Sequence, residues 1–367
     1  MSDLRLLLVT DAVGGVWTYS VELARALQPL GIEATLAVMG PAASSAQREA
    51  ATGLRVIDKG LPLDWIEPDR DALRRAGDAL ADLARIEAAD VVQSNSAALL
   101  AECKFDQPCV AVQHSCVASW WSAVRGTSLP EDFVWRRDLT QAGLQRAAAV
   151  VAPSVAFAAE TARIYDVPSP VAVVHNGRRA PSLQSLPPGE FVFTASRLWD
   201  EGKNVATLDA AAARLEVPVQ AAGATRGPNG ASIALEHVEP LGELSESRLA
   251  GLYAARPVFA SAALYEPFGL SVLEAAQAGC ALVLSDIPTH REIWDGAAIF
   301  VPARDAEAFA RALEDVLADP DERQELGQLA RSRAGLYSPE RMAGGMADIY
   351  SRVARPHFMP TAIAGAA

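Results

Sequence analysis

The chain has 367 residues, of which half are hydrophobic and 21% are charged, and this length and composition allow two domains with a core each. A formal net charge of −13 argues against a nucleic-acid-binding protein and against electrostatic attachment to an anionic membrane. The four cysteines lack the paired spacing of a zinc site, and no apolar run approaches the length of a membrane-spanning helix. We therefore expect a cytoplasmic protein with reduced thiols that associates with neither nucleic acid nor membranes.

Strand and helix patterns alternate through the first half of the chain. Apolar runs predict strands at 4–9, 34–39, 90–94, 109–113 and 148–153. Helical patterns lie after a Gly-Gly turn at 14–15, at 69–88 and at 155–165. Such alternation is typical of a parallel sheet that is covered on both faces. The D-x-D sequence Asp69-Arg70-Asp71 stands at a predicted helix start, where its acids serve as caps rather than as metal ligands.

A proline-rich segment at 178–190 reads as a linker between domains, and the alternation then starts again. Strands are predicted at 191–196, 218–223, 257–262, 281–285 and 297–302. Helices are predicted at 204–215, 245–255 and 305–317, and a last helix runs from Ser338-Pro339 to about residue 353. The sequence therefore predicts two α/β domains of similar size, which bind ligands in the cleft at the carboxyl ends of their strands.

The first candidate site is the glycine pair in TDAVGGVWTYS (10–20). Gly14 and Gly15 follow a strand and open a helix, so backbone N–H groups there can approach an anion at the positive end of the helix. The full G-x-G-x-x-G pattern of dinucleotide-binding loops is absent. A tight turn without a ligand is the alternative interpretation.

Two cations stand at the start of the second domain, in SRLWDEGKN (196–204). Arg197 and Lys203 are six residues apart, at and just beyond the end of a strand. Two cations at that edge can hold a diphosphate through charge-assisted hydrogen bonds. The alternative is a lysine that is simply exposed near a helix start.

Two carboxylates frame the stretch YEPFGLSVLEAAQAGC (265–280). Glu266 precedes a predicted helix and Glu274 lies inside it, and both are suited to accept hydrogen bonds from vicinal hydroxyl groups. Backbone N–H groups point out of the helix start at Phe268, Gly269 and Leu270. A glycoside hydrolase also uses two acids, but it would leave the two cations and the glycine turns without a task. Glutamates that only cap a helix or face solvent are the other alternative.

Several segments of the chain match a known enzyme family, in the family's order and over nearly the whole chain. They are VGG (13–15), His114 after a strand, HNG (175–177), SRLWDEGKN (196–204), LGELSESRLAGLY (241–253), YEPFGLSVLEAAQAG (265–279) and SDIPTHREIWDGAAIFVPARD (285–305). On these segments the chain resembles the retaining glycosyltransferases of family 4, the group 1 glycosyltransferases with the GT-B fold. The resemblance implies two Rossmann-like parallel-sheet domains that face a central cleft, at 1–180 and 181–338, and a helix at 339–356 that crosses back to the first domain.

The resemblance also implies roles for individual residues. Arg197 and Lys203 would bind the diphosphate of a nucleotide-sugar donor, while Glu266 holds the donor sugar and Glu274 the ribose. His114 would lie over the donor sugar near the reacting centre, so that His114, Arg197, Lys203 and Glu266 form the predicted catalytic set. The backbone would help at Gly14, Gly15, Phe268, Gly269 and Leu270. The base would lie along Leu241 and Gly242.

The reaction that the resemblance implies is transfer of a hexosyl unit from a UDP-, GDP- or ADP-sugar to an acceptor hydroxyl. It would retain the anomeric configuration through front-face attack. No metal and no cofactor other than the nucleotide sugar is expected, because side-chain cations take the metal's place. An isomerase of the sugar-nucleotide 2-epimerase type and a non-catalytic sugar-nucleotide-binding protein are the alternatives.

The acceptor, a small molecule or a saccharide, is expected on the first domain. The segment SWWSAVRGTSLPEDFVWRRD (119–138) is the best candidate for its site, because its tryptophans can stack on a flat face beside its arginines. The tryptophans are Trp120, Trp121 and Trp135, and the arginines are Arg125, Arg136 and Arg137. A helical hairpin with core tryptophans is the alternative. The arginine pairs 136–137 and 178–179 are typical of solvated surface. The sequence does not specify the donor nucleotide or the oligomeric state.

Overall fold

The computed structural model describes residues 4–167, 169–181 and 186–354 of the chain. Within these residues the strands form two sheets, and all strand pairs within each sheet are parallel. The prediction of two Rossmann-like parallel-sheet domains is therefore confirmed. The predicted linker 178–190 includes residues 182–185, which lie outside the described residues, as do the last two residues of the predicted helix 339–356.

The first sheet has seven strands: β1 (Leu4–Asp11), β2 (Ile32–Met39), β3 (Arg55–Leu61), β4 (Val91–Ser94), β5 (Cys109–Val112), β6 (Ala149–Ala152) and β7 (Ala172–Val173). Their order across the sheet is β3-β2-β1-β4-β5-β6-β7. The helices of this half are α1 (Gly15–Leu27), α2 (Ser45–Ala50), α3 (Arg70–Ile86), α4 (Val117–Arg125), α5 (Glu131–Arg146) and α6 (Val155–Ile164). The sequence did not predict β3, because this edge strand has exposed and half-buried residues instead of an apolar run.

The second sheet has six strands: β8 (Val192–Ala195), β9 (Val219–Ala222), β10 (Val238–Gly242), β11 (Val258–Ser261), β12 (Leu282–Ser285) and β13 (Ile299–Val301). Their order is β10-β9-β8-β11-β12-β13. The helices are α7 (Val205–Ala212), α8 (Glu246–Ala254), α9 (Leu270–Ala278), α10 (Pro288–Trp294), α11 (Ala306–Ala318) and α12 (Pro320–Ala334). The sequence did not predict β10, which contains Pro240 and is an edge strand, the place where a sheet tolerates proline.

Both faces of the first sheet are buried, which explains the unbroken apolar run of β1. Leu6 and Leu8 point into the core on one face, and Leu7 and Val9 point into the core on the other. Side chains alternate between faces along a strand, so a strand buried on both sides needs apolar residues at every position. The loops at the carboxyl end of this sheet are thereby held on a rigid base.

The last described helix, α13 (Pro339–Ala354), belongs to the core of the first sheet although it follows the second sheet in the chain. Met342, Met346, Ile349 and Tyr350 are buried there with residues of α1 and of the first sheet. The Tyr350 hydroxyl also donates a hydrogen bond to Gln93 of β4. The chain therefore crosses between the two halves twice, once before β8 and once before α13.

Asp69 caps α3, as the sequence predicted for the Asp69-Arg70-Asp71 stretch. Its Oδ1 accepts the backbone N–H of Asp71 at 2.9 Å. The four cysteines are free thiols. Among the helices of the described residues, none is long and apolar enough to cross a membrane.

Candidate active site

Two helices that begin at glycines meet across the cleft. The N-cap residues of α1 and α9 are Gly14 and Gly269, with φ of 77° and 93°, and neither helix start has a hydrogen bond from a capping side chain. A Cβ atom added to Gly14 would lie 3.6 Å from Cδ of Arg197, and one added to Gly15 would lie 3.4 Å from Cδ1 of Leu270. The glycine loop of the first domain therefore lies directly against the start of α9 and the first cation of the second domain.

Phe268 lies just before α9 and not in its first turn. The helix begins at Leu270, one or two residues later than the sequence suggested. The Phe268 ring is buried in the core of the second domain, 5.6 Å from the ring of Tyr337. The free N–H groups at this end of the helix therefore start at Leu270, and the Phe268 side chain anchors the loop that presents them.

Lys203 and Glu266 form a mostly buried ion pair. The Lys203 Nζ lies 2.7 Å from Oε2 of Glu266, and the two side chains are only 14% and 15% exposed. Burial alone would raise the pKa of Glu266, but the adjacent Lys203 ammonium holds it below its usual range. Glu266 is therefore ionised near neutral pH and its charge is compensated, so it can lie close to an anionic ligand.

Arg197 is paired in the same way with Asp200, a residue that the sequence analysis missed. The Arg197 Nη2 lies 2.9 Å from Oδ2 of Asp200. Asp200 Oδ1 accepts hydrogen bonds from the Gly202 N–H at 2.9 Å and from Trp120 Nε1 of the first domain at 2.8 Å. Burial favours a raised pKa, but these partners and Lys203 keep the Asp200 pKa lowered. The signal that could have found it is its place between the two cations, just before a short helical turn.

Glu274 also has an ionic partner, because the Arg178 guanidinium binds it. The guanidinium of Arg178 lies 2.9 Å from Glu274, 3.0 Å from Glu22 of α1 and 3.0 Å from Glu246 of α8. Burial would lower the pKa of Arg178, yet the three carboxylates raise it above its usual range. For Glu274, burial outweighs the effect of the nearby arginine, so the pKa of its carboxyl is raised. The expectation of a solvated pair is therefore wrong for Arg178, whose side chain is 18% exposed, while Arg179 is exposed.

His114 lies at the carboxyl end of β5, at the wall of the cleft. Its ring stands edge-on against Tyr19 of α1, with the ring centroids 4.2 Å apart. Burial lowers the pKa of His114 to about 3, so the imidazole is neutral near neutral pH. Its Nε2 is buried and has no hydrogen-bond partner among the described residues. A buried polar atom without a partner on the wall of a cavity is suited to a ligand.

Leu241 and Gly242 lie at the end of β10, at the far edge of the second sheet. The Gly242 carbonyl accepts a hydrogen bond from the Gly223 N–H at 2.8 Å. Leu241 packs against the same apolar cluster as Leu270 of α9. These two residues are thus on the α9 side of the site, two strands away from the strand that leads to Arg197.

A cavity of about 400 Å³ lies between the two domains, with walls from both. Its lining includes Asp11, His114, Arg197 and Tyr265. Segment 119–138 forms most of α4 and the first half of α5, so the helical hairpin was correctly predicted, but its tryptophans are half-buried and line this cavity. They are Trp120, Trp121 and Trp135. Arg136 is not simply solvated, because it lies 4.4 Å over the Trp135 ring and donates to the Asp64 carbonyl.

Proteins of similar sequence and fold are known. The family model described as "Glycosyltransferase Family 4" matches residues 13–179, and the model described as "Glycosyl transferases group 1" matches residues 232–333. Sucrose-phosphate synthase from Thermosynechococcus elongatus gives a TM-score of 0.77 at 19% identity, over 95% of this chain and 98% of its own. Anabaena HepE, solved in complex with UDP-glucose, gives a TM-score of 0.72 at 17% identity, over 95% of this chain and 100% of its own.

Among proteins of similar sequence is alpha-maltose-1-phosphate synthase of Mycolicibacterium smegmatis, which is 29% identical over 174 residues. The match covers 41% of this chain and 45% of that relative, so it spans less than half the length of either protein. Two parallel-sheet domains with a charged, glycine-rich cleft and these matches define an enzyme of the GT-B class. The chain carries a Glycosyltransferase Family 4 region at 13–179 followed by a Glycosyl transferases group 1 region at 232–333.

Proposed function

We propose that the enzyme transfers a hexosyl unit from a nucleotide diphosphate sugar to an acceptor hydroxyl, with retention of configuration and without a metal ion. One observation carries the proposal: two glycine-capped helix starts meet beside Arg197, with Lys203 held nearby. Helix N-termini and side-chain cations together form a preorganised site for an anion. The charge that develops on a departing diphosphate is the charge that such a site stabilises most.

The cations reach the donor by exchanging partners. Arg197 and Lys203 are paired with Asp200 and Glu266, and the Arg197 side chain is 35% exposed, so its guanidinium can turn toward a diphosphate while Asp200 continues to orient it. Asp200 is itself fixed by the Trp120 indole. The two cations supply the positive charge that a bound metal would otherwise supply, which is why we propose a metal-independent reaction.

The carboxylates and the histidine would hold the hydroxyl groups of the donor. Glu266, ionised and next to Lys203, can accept hydrogen bonds from the transferred sugar, and Glu274 can do the same for the ribose. The neutral imidazole of His114 offers a hydrogen bond to the sugar without adding a charge. Leu241 and Gly242 would lie beside the base.

In the proposed reaction the acceptor oxygen would attack the anomeric carbon from the same face as the departing diphosphate. The bond from the anomeric carbon to the diphosphate oxygen breaks, the acceptor oxygen bonds to that carbon on the same face, and the acceptor proton passes to the leaving phosphate oxygen. No enzyme nucleophile is required. Contacts between the domains, such as the hydrogen bond that Ser154 Oγ donates to the Pro267 carbonyl at 2.7 Å, hold the two sides of the cleft together.

The first donor to test is UDP-glucose, because HepE of similar fold was solved with it. Purified protein is screened by thermal shift with UDP-, GDP- and ADP-sugars, and a donor at about 100 times its Kd should stabilise the fold by about 2.7 kcal/mol. Products with an acceptor panel are then identified by mass spectrometry, and the anomeric configuration is read by NMR.

Three outcomes separate the candidate functions. A glycoside with the donor's anomeric configuration supports the proposal, and an inverted one contradicts it. Consumption of donor with no glycoside across the panel indicates an isomerase of the 2-epimerase type. Binding without turnover indicates a sugar-nucleotide-binding protein. Full activity after treatment with EDTA is expected. A cytoplasmic location also remains a proposal, in line with four free thiols.

A further inference from the structure

Two acidic side chains line the cavity from the first domain and are not among the predicted donor residues. Asp11 is the last residue of β1 and Asp64 follows β3. Asp11 Oδ1 accepts the Val13 N–H at 2.7 Å, which ties this carboxylate to the glycine loop next to Arg197. Among the described residues neither acid forms an ion pair. Burial, and to a smaller extent the Asp64 charge, raises the pKa of Asp11 to about 6, although the Val13 N–H and Arg197 act to lower it. Burial also raises the pKa of Asp64.

The arginines that line the cavity are already engaged. Arg125 pairs with Glu201 at 2.7 Å and Arg137 with its neighbour Asp138 at 2.6 Å. Arg136 donates to a carbonyl and covers a tryptophan ring, and Arg197 pairs with Asp200 and faces the proposed diphosphate site. Of the charged side chains that line the cavity, Asp11, Asp64 and Arg136 therefore form no ion pair among the described residues, and the Arg136 guanidinium already donates to the Asp64 carbonyl.

Aromatic rings also line the cavity. Trp120 and Trp121 are fixed, because their indole N–H groups donate to Asp200 at 2.8 Å and to Thr127 at 3.1 Å. Phe133 lies 5.8 Å from Trp121 between ring centroids, and Trp65 and Trp135 complete the lining. Fixed aromatic faces and hydrogen-bond acceptors in one cavity suit a molecule with an apolar face and several hydroxyl groups.

We propose that this cavity binds an uncharged polyhydroxylated acceptor, whose hydroxyl groups donate to Asp11 and Asp64, and that these two carboxylates select it against its phosphorylated form. The inference rests on the proposed function, whose acceptor it specifies. A phosphate group beside Asp11 would lie near a like charge at pH 7 in a partly desolvated site, and such juxtaposition is a strong element of discrimination. Asp11, next to the glycine loop, holds the hydroxyl nearest to the donor.

The test compares matched acceptors with the donor that the thermal-shift screen identifies. Glucose, fructose, myo-inositol and maltose are assayed beside a phosphate monoester of each, and kcat/KM is measured for every pair. The wild type should prefer the uncharged member by at least about tenfold. The Asp11→Asn/Asp64→Asn double variant, which keeps the shape and removes both charges, should lose most of that preference. Asp82→Asn, on the exposed face of α3, is the matched control.

The results also distinguish this inference from the proposed function. If no sugar nucleotide raises the melting temperature, the proposed function fails. If a donor binds but the wild type prefers phosphorylated acceptors, accepts none of the uncharged ones, or keeps its preference in the double variant, the inference is overturned while the donor site stands. Since asparagine removes buried charge, the double variant should melt no lower than the wild type. A lower melting temperature with unchanged preference would assign the acids a structural role.

Discussion

The two sides of the cleft differ in whether their charged side chains have partners of opposite sign. On the donor side, each predicted functional charge has a partner of opposite sign: Lys203 with Glu266, Arg197 with Asp200 and Glu274 with Arg178. On the proposed acceptor side, Asp11 and Asp64 have no ionic partner among the described residues and line the same cavity as the tryptophans. We infer from this contrast that a diphosphate would be bound by exchange of ion-pair partners, whereas an uncharged acceptor would meet acids that have no ionic partner.

The largest effect should come from removing the donor-side cation. Lys203→Ala leaves Glu266 buried without its partner and removes a donor to the diphosphate, so kcat/KM should fall by about 10³-fold. Steady-state kinetics and donor-induced thermal shift measure this. Lys59→Ala, at an exposed position of β3, is the control and should be unchanged. A Lys203→Ala enzyme within tenfold of the wild type would show that the paired charges are structural.

A smaller loss is expected at the junction between the domains. Arg178→Met removes the cation shared by three carboxylates, so Glu274 should move and kcat/KM should fall by about 100-fold, together with a melting temperature several degrees lower. The neighbouring Arg179→Met, at an exposed position, provides the matched comparison. Equal effects of the two substitutions would argue against the role of Arg178 in placing Glu274.

A substitution in the glycine loop should reduce activity less than the substitutions of Lys203 and Arg178. Gly14→Ala strains a backbone with φ of 77° and adds a methyl group 3.6 Å from Arg197, so donor KM should rise by about tenfold, with about 1 kcal/mol lost from the free energy of unfolding. Gly53→Ala has a similar φ of 85° but no atom within 4 Å of the added Cβ, so it should lose stability alone. A rise in KM in both variants would mean that strain, and not the contact with Arg197, is responsible.

The smallest effect is a pH dependence on the acceptor side. The Asp11 carboxyl, with its pKa raised to about 6, is protonated in acid, and its ionised fraction should fall about fourfold between pH 7 and pH 5.5. The wild-type kcat/KM for the acceptor should fall accordingly, and the Asp11→Asn profile should be flat over that interval. A profile that keeps its acid limb after the substitution would assign the limb to another group.

The contribution of Asp11 to stability should change with pH in the direction opposite to that of the activity. Between pH 3.8, the ordinary pKa of an aspartate side chain, and pH of about 6, the folded protein binds this proton more tightly than the unfolded chain does. The contribution of Asp11 to the free energy of unfolding therefore decreases as pH rises through that interval. Comparing urea unfolding of the wild type and Asp11→Asn at pH 4.5 and pH 7 measures it. The variant should gain stability relative to the wild type at pH 7.

The sequence singled out the charged residues beside the two helix starts but not Asp11 and Asp64, for a physical reason. Arg197, Lys203, Glu266 and Glu274 lie in local motifs at strand ends and helix starts, where a few adjacent residues determine the geometry. The two acids, at the end of β1 and in the loop after β3, are far apart in the chain and line one cavity only through the order of strands in the sheet. Arg178 was misjudged for the same reason, since its three partners lie on α1, α8 and α9.

The return of α13 to the first sheet has a consequence for how the protein is made. The first domain is synthesised first, but its apolar surface around α1 lacks Met346, Ile349 and Tyr350 until the last helix has left the ribosome. That half of the molecule therefore cannot complete its core during most of translation. The strands and covering helices of the second sheet are contiguous in the chain, so the second half can complete its core before α13 is made. A gene fragment that ends before α13 would leave this surface exposed, and a useful chimera of two relatives would have to exchange α13 together with the first domain.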